Sequence, residues 1–462
     1  MTLLSPRIVN SGSEDVDRIA KIAIIGRGFS GIMAAIALLK RVEGPFHLVL
    51  FDPRPKIDIG EALNQSSASV LTSRVRDLSI DHDDAGDFRQ WLEAEEGWLD
   101  RVTSDAEDLD DSFVPGEAFR TYVYDRFSKA LKIRTDAVVQ FLPDKVISIE
   151  QGSAGGLSVL TEAGESTRFD AVFLCTGYGL REGLDSTLPT IEADRAIVIG
   201  EGIQAVDKAL ALLDEGRASR VVLISESGFL PQSHAVKAQG SLLADQAIPR
   251  SLRGAFRFLR REAINAGNQG LGWQGIMNGF RLQARELWEG LTPDERRRFK
   301  RHVQAVYESH RNRLPPERYQ RLHRAIDEGT ITVRRGKIDR IANNGVLLVA
   351  PVGFEVLPAD IVVDSRAHSS GTDTALVRAI VKTGLAKSDE LGIGVVVDEC
   401  GQTTDAPNTS RGLFAMGPLG LGSVPDVDLV PQIVEQSHRA AASVDAWLGE
   451  RTQKAPDGRV TR

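Results

Sequence analysis

"KIAIIGRGFSGIMAAIALLKRVEGPFHLVLFD", residues 21 to 52, joins an apolar run, a glycine turn, a helix-spaced stretch and a second apolar run ending in an acid. Lys21 to Ile25 suits a buried parallel strand, because strands covered on both faces read as continuous apolar runs. The turn Gly26-Arg27-Gly28-Phe29-Ser30-Gly31 follows, and a helix is predicted from about Ile32 to Leu39. Gly26 permits the tight turn, Gly28 lets the backbone approach a pyrophosphate, and Gly31 lets helix and strand pack closely. The helix start offers unpaired N–H groups and a partial positive charge to phosphates. Asp52 ends the second strand 24 residues after Gly28, where a carboxylate can accept both hydroxyls of an adenosine ribose. Strand, turn, helix, strand and acid in register predict a dinucleotide cradle.

The pattern recurs at "RAIVIGEGIQAVDKALALLDEGRASRVVLISESG", residues 195 to 228. Gly200 and Gly202 take the first two glycine roles, and Ala205 is small enough for the third. One cradle would hold a tightly bound flavin and the other an exchangeable nicotinamide donor. The acids of the second cradle leave three readings open. Glu226, after the strand "VVLIS", suits the ribose hydroxyls of NADH and disfavours the 2′-phosphate of NADPH. NADPH could still be held by arginines from elsewhere. The third reading is a weakened or vacant site: Glu201 either faces the pyrophosphate, where two like charges about 5 Å apart repel by roughly 3 kcal/mol at an effective dielectric near 20, or points to solvent.

Two further stretches favour FAD for the first cradle. "FDAVFLCTGYG", residues 169 to 179, is a strand ending in Thr176-Gly177 after a predicted hairpin. "GLFAMGPLGLGSVPDVDLVPQIVEQSHRAAASVDAW", residues 412 to 447, is a strand, a turn at Gly417-Pro418 and an amphipathic helix from about Asp428. That helix start can direct its positive end at the edge of a reduced flavin. The fold class is therefore α/β, with two Rossmann-like units, the FAD unit discontinuous and a helical insert between its pieces. The expected boundaries are a tail over 1–19, the FAD unit over 20–188 and 358–450, and the second nucleotide unit over 189–250 and 331–357. The insert covers 251–330, capping the cleft, and a second tail covers 451–462.

Within the insert, Trp273, Phe280, Trp288 and Tyr307 read as core residues, with stacking on a substrate as the alternative. Arg311 and Arg313 stand at the end of a helix before Pro315-Pro316, where cations suit the C-terminal dipole. The sharper role for either is to bind a nicotinamide phosphate or an anionic substrate, since a guanidinium fork suits both. His234 is a candidate acid–base group at the nucleotide cleft, against the plainer reading of a satisfied histidine.

Composition narrows the class. The formal charge is 56 − 64 = −8, so no chain-wide basic field exists to hold nucleic acid or anionic lipid. Two cysteines, Cys175 and Cys400, supply neither a disulfide framework nor a metal-ligand spacing. No apolar run approaches the length of a membrane span. A soluble, cytoplasmic protein without a metal is expected. The residues themselves predict an FAD oxidoreductase, and the flavin is the only evident reactive group.

Longer strings add a resemblance. "GDFRQWL" (86–92), "FVPGEAFRTY" (113–122), "ESGFLPQSHA" (226–235) and above all "GWQGIMNGFRLQARELWEGLTPDERRRFKRHVQAVYESHRNRLPP" (272–316) resemble bacterial FAD-NAD(P)-binding flavoproteins of the urate hydroxylase-like type. The resemblance covers most of residues 20 to 448 and implies a monooxygenase. Such an enzyme takes electrons from NADH or NADPH and passes one atom of O₂ to a small organic substrate through a flavin C4a-adduct. Departures fall around the pockets: Gly116 stands where that family has Arg, and Thr72 where it has Asn. Glu226-Ser227 replaces an Arg-Arg pair, and "VVDSRAH" (362–368) replaces a strand ending N-C-T-G-P. The pattern is that of a divergent member. A flavin oxidase or dehydrogenase reduced by its own substrate, and a flavin-binding scaffold without turnover, are the alternatives.

Overall fold

The computed structural model describes residues 19–54, 70–95, 97–102, 108–152, 155–178, 193–243, 246–342, 344–349, 353–366 and 374–453. The tails expected over 1–19 and 451–462 lie almost wholly outside these residues.

Two parallel sheets organise the chain. In the first, the central strand Ala20–Ile25 pairs with Phe46–Phe51 on one side and Ala171–Leu174 on the other. Val138–Leu142 and Leu413–Ala415 complete the edges, both in parallel register. The helix Phe29–Arg41 crosses one face, with Ile32 to Leu39 all buried, and is longer at both ends than the apolar spacing alone predicts. Against it lies the long helix Val430–Gln453, which begins two residues after the predicted start and buries Ala440, Ala441 and Val444. Small side chains on both helices permit a close approach. On the opposite face, Ile25, Val49, Leu174 and Ala415 pack beneath the three-stranded antiparallel sheet Val146–Gln151, Leu157–Thr161 and Ser166–Phe169.

The second sheet repeats the scheme with four parallel strands. Its centre, Ala193–Ile199, pairs with Ala218–Ser225 on one side and Ile361–Asp364 on the other, and Ile331–Arg335 forms the outer edge. The boundary at 358 assigned Ile361–Asp364 to the first unit. That assignment is corrected, because these residues run in register with Ala196–Ile199. Their alternation of buried and half-buried side chains, with Ile361 and Val363 inward, fits a strand covered chiefly on one face.

The segment expected as an insert is helical: Leu252–Asn268, Trp273–Leu282, Ala284–Gly290, Pro293–His302, Gln304–Arg311 and Pro316–Asp327. Thr292 starts the Pro293–His302 helix with a reciprocal capping box to Glu295, and Pro occupies the first turn, as the physics of unpaired helix-end N–H groups demands. The last helix buries Leu322 and Ala325 in the core of the second sheet, so it belongs with that sheet and not with the preceding five. Among the described residues, no helix is long and apolar enough to cross a membrane.

Candidate functional site

Both sheets change winding direction at their central strands, and that crevice is where open parallel sheets take ligands. At the first crevice Gly26 has φ +98°, and a Cβ added there would stand 2.3 Å from the Cys175 carbonyl oxygen of the neighbouring strand end. A Cβ on Gly31 would stand 2.1 Å from the Gly26 carbonyl oxygen. Gly28 is the N-cap of the Phe29–Arg41 helix, with no side-chain cap and no acid in the first turn, so the N–H groups are left for an anion. Gly417 comes back from far along the chain to the same place. Its φ is +63°, and a Cβ would lie 2.3 Å from Ser30 Oγ. Ser30 and Gly417, named separately in the sequence, are thereby brought side by side.

Asp52 is 4% exposed at the end of its strand. Burial alone would raise its carboxyl, but hydrogen bonds from the Arg54 guanidinium and the Arg27 and Arg54 backbone N–H groups hold it below the ordinary carboxylate range. Arg54 grips it with both Nε (2.9 Å) and Nη2 (2.8 Å). A dinucleotide fits this cradle on one further count: Thr176 Oγ1, beside Gly177 (φ +62°), is buried and makes no hydrogen bond among the described residues. A buried hydroxyl without a partner is costly unless a ligand completes it.

The second crevice is built alike. Gly200 has φ +146°, and a Cβ would meet the Ser365 carbonyl oxygen at 2.7 Å and Ala205 Cβ at 2.9 Å. Gly202 caps the helix Ile203–Asp214, again with no acid in the first turn. Ser365 therefore occupies the position of Cys175, and Arg366 that of Thr176. Even the strand-end clamp is repeated: Arg366 donates to Asp364 through Nε (2.9 Å) and Nη2 (2.7 Å), as Arg54 does to Asp52.

Glu201 answers to neither of its sequence readings in simple form. Its carboxylate folds over the end of the neighbouring strand and accepts from Ser225 Oγ (3.0 Å), Ser227 N–H (3.0 Å) and Ser227 Oγ (2.5 Å). The acid in the turn thus occupies the strand end at which Glu226 was expected to receive a ribose. Glu226 itself is half exposed, with Oε1 4.0 Å from Arg366 Nη1. Arg366 stands between Asp364 and Glu226.

Beyond the cradles, the insert helices enclose an apolar pocket of roughly 700 Å³, counting the space at its open mouth. Phe256, Phe280, Trp288, Phe299 and Tyr307 wall it, with Leu391, Ile393, Leu421 and Pro425 on the far side. Phe280, Trp288 and Tyr307 were expected as core. They do pack on neighbouring rings, yet they also face this space. Trp273 remains a packing residue, edge-on to His310 at 4.9 Å between centroids.

The arginine and histidine candidates are redistributed. Arg311 is 7% exposed and saturated: Nε donates to Asp426 (2.5 Å), Nη2 to Asp428, and Nη1 to Glu308 and Asn312. The expectation that Arg311 could bind a phosphate or an anionic substrate is corrected, since carboxylates already fill its fork. Asp428 also accepts from the Tyr178 hydroxyl at 2.7 Å, so Arg311 ties the insert to the segment that follows Gly417. His234 is enclosed by Thr72, Phe113 and the arginines Arg74 and Arg313. Its Nε2 donates to the Thr72 carbonyl at 2.8 Å, and burial together with Arg313 and Arg74 lowers its pKa to about 3. It stays neutral, and the acid–base role is corrected to an anchoring one. Arg313 alone among these remains undersupplied with partners. Among the described residues, no group of three or more His, Cys, Asp and Glu side chains is placed to hold a metal.

Sequence reasoning missed Arg54, Arg366, Asp426 and Asp428. A signal for the first two was present in the repeated Asp-x-Arg after each strand, "DPR" at 52–54 and "DSR" at 364–366. For the acids it was the pair in "PDVD", 425–428, just before a helix.

With this geometry in place, comparison with known proteins is direct. Residues 23–179 match the family described as FAD-NAD(P)-binding. Ornithine N-hydroxylase from Kutzneria sp. 744 has a similar structure, with TM-score 0.59, 13% identity and coverage of 93% of this chain and 100% of that one. Ornithine hydroxylase from Pseudomonas aeruginosa gives 0.58 at 14% identity, with the same coverage. Bacillithiol disulfide reductase from Bacillus cereus gives 0.51 at 12% identity, covering 93% of this chain and 100% of that chain. At such identities the likeness is one of fold. No curated protein sequence matches the chain.

Proposed function

We propose that this chain, a divergent FAD-NAD(P)-binding flavoprotein, is a monooxygenase that takes electrons from a nicotinamide dinucleotide and oxygenates a small organic molecule. The balance is one NAD(P)H, one proton, one O₂ and one substrate in, and NAD(P)⁺, water and the oxygenated product out. FAD supplies the redox chemistry when bound. Residues Gly26 to Gly31, Phe29 and Ser30 included, would hold its pyrophosphate, Asp52 its ribose, and Thr176-Gly177 and Gly417-Pro418 its covering turns. Gly200, Gly202, Ala205 and Arg366 would hold the nicotinamide dinucleotide.

The observation that carries the reading is continuity of the 417–429 segment. It begins against Ser30 at the first cradle and, within nine residues, supplies Leu421, Pro425 and Asp426 to the aromatic pocket. A pocket with largely apolar walls is thus tied to the cradle by a few residues of chain. Apolar walls suit an organic substrate and exclude water that would compete for a reactive oxygen species.

The solved neighbours include ornithine hydroxylases and a disulfide reductase, so thiol chemistry is the natural rival. It needs an accessible thiolate. Burial pushes the Cys175 thiol far above its ordinary range, and burial with Asp398 nearby raises Cys400 as well. Both cysteines are therefore poor nucleophiles. A second reading, reduction by the substrate itself, is favoured by Glu201 lying over the strand end of the second cradle. Anaerobic mixing with NADH and NADPH separates the two: bleaching of the flavin by either donor supports the oxygenase. Bleaching only by an organic substrate, with both nicotinamides inert, would overturn it. Admission of O₂ must then yield oxygenated product in proportion to donor consumed; hydrogen peroxide alone would also overturn it.

A further inference from the structure

We infer that Arg74, Arg281 and Arg313 form a binding site for the carboxylate group of an organic ligand, a site that the cradles and the aromatic pocket do not include. This goes beyond the preceding reading, since the site stands apart from the pocket given to the oxygenated molecule. The three guanidinium groups come from separate elements. Arg74 ends the strand Val70–Arg74, Arg281 lies in the helix Trp273–Leu282, and Arg313 follows the helix Gln304–Arg311. The loop after Ser225 gathers them. His234 N–H donates to the Leu314 carbonyl (2.9 Å), His234 Nε2 to Thr72, and the Ala235 carbonyl accepts from Arg74 Nη2 (2.5 Å). All three arginines lie close enough to act on the His234 ring.

Charge is what distinguishes the cluster. Arg74 and Arg313 are each 5% exposed. Arg281 shares Asp426 with Arg311, whose other faces are filled by Asp428 and Glu308. Arg74 is held by two backbone carbonyls, Asp111 and Ala235, and by the Phe113 ring 4.9 Å away. Arg313 makes one hydrogen bond, to Asn278 Oδ1 (2.7 Å), lies 5.7 Å from the Trp273 ring, and leaves a buried Nε with no partner. Asp77 is the acid that faces the cluster: its charge acts on Arg74, Arg281 and Arg313, although it neither hydrogen-bonds nor ion-pairs with Arg313 among the described residues. Burial and the neighbouring Arg281 and Arg74 lower the Arg313 pKa to about 10. Among the described residues Arg313 has no carboxylate within ion-pair distance; a buried cation so placed is expensive, and an anion in contact with it would reduce that expense. A carboxylate matches the planar fork of a guanidinium better than a neutral amide of the same shape, which brings its own donors.

The test compares benzoate with benzamide, and acetate with acetamide, on the full-length holoprotein at constant ionic strength. Calorimetry and Trp fluorescence supply readouts that need no turnover. Each carboxylate is expected to bind at least tenfold more tightly than its amide. Arg313→Gln should abolish that preference while FAD content stays unchanged, and Arg313→Lys should keep part of it. Equal binding of acid and amide by the wild type overturns the inference, whatever the flavin does; so does a preference that survives in folded Arg313→Gln. A carboxylate preference in a protein that neither nicotinamide reduces leaves the anion site standing and removes the oxygenase reading alone.

Discussion

Glu201→Gln tests how the second cradle treats its nucleotide. In the wild type one carboxylate oxygen accepts three hydrogen bonds from Ser225 and Ser227 at the strand end. Adenosine ribose is received at the corresponding end of such folds, and a 2′-phosphate there brings roughly 1.5 to 2 negative charges. At about 5 Å and an effective dielectric near 20, each unit charge would meet roughly 3 kcal/mol of repulsion. Glu201 is exposed, and counter-ions screen it, so well under half survives. About 1.4 kcal/mol remains, or roughly tenfold in the ratio of NADPH to NADH dissociation constants. Gln keeps the shape and an acceptor oxygen, so the turn should stand. The ratio is read by anaerobic calorimetric titration of both variants with both nucleotides. A gain of about tenfold for NADPH relative to NADH is expected; a ratio unchanged within twofold would refute the placement of Glu201 at the adenosine end.

Other consequences follow from the same geometry. Arg366→Gln should weaken NAD(P)H binding by about tenfold and leave FAD content unchanged; loss of FAD instead would detach Arg366 from the second cradle. Glu226→Arg should shift preference toward NADPH, and an unchanged donor ratio would remove Glu226 from the site. Gly417→Ala must move a positive-φ backbone and displace Ser30, costing about 1–3 kcal/mol, so flavin content should fall with the melting temperature; full occupancy at wild-type stability would contradict the contact. His438, stacked on His82 at 4.5 Å, has its pKa lowered to about 4, first by burial and then by His82 and Arg41. Its unfolded form takes up a proton that the folded form refuses, so stability is lost as pH falls from about 6.5 toward 4. The loss is of order 2 kcal/mol at pH 5. Urea unfolding at pH 7 and pH 5 should show this difference shrink in His438→Asn; an unaltered difference would reassign the proton.

What could be read in advance is what backbone geometry dictates. Gly26, Gly31 and Gly200 announce their role because no side chain fits beside a neighbouring carbonyl, and strands such as "KIAII" and "AIVI" announce theirs by continuous apolarity. Side-chain destinations were another matter. Glu201 looked awkward near a phosphate, yet nothing local says that it bends 24 residues along the chain to Ser225. Arg311 looked available until Asp426, 115 residues away, took its Nε. The strand Ile361–Asp364 was assigned to the wrong sheet because three apolar residues and an acid carry no partner information. Arg74, Arg281 and Arg313 share no periodicity at all; tertiary folding alone assembles them.

The contact between Ser30 and Gly417 has an implication for biosynthesis. The ribosome must deliver residues 417–453 before the pocket begun at residues 26–31 is complete, since the closing turn and the helix Val430–Gln453 both pack onto the helix Phe29–Arg41. A nascent chain that stops short of Gly417 would show a half-built entrance to any flavin it met. Cofactor acquisition is thereby expected to wait for residues 417–453, and chains truncated before Gly417 should be colourless.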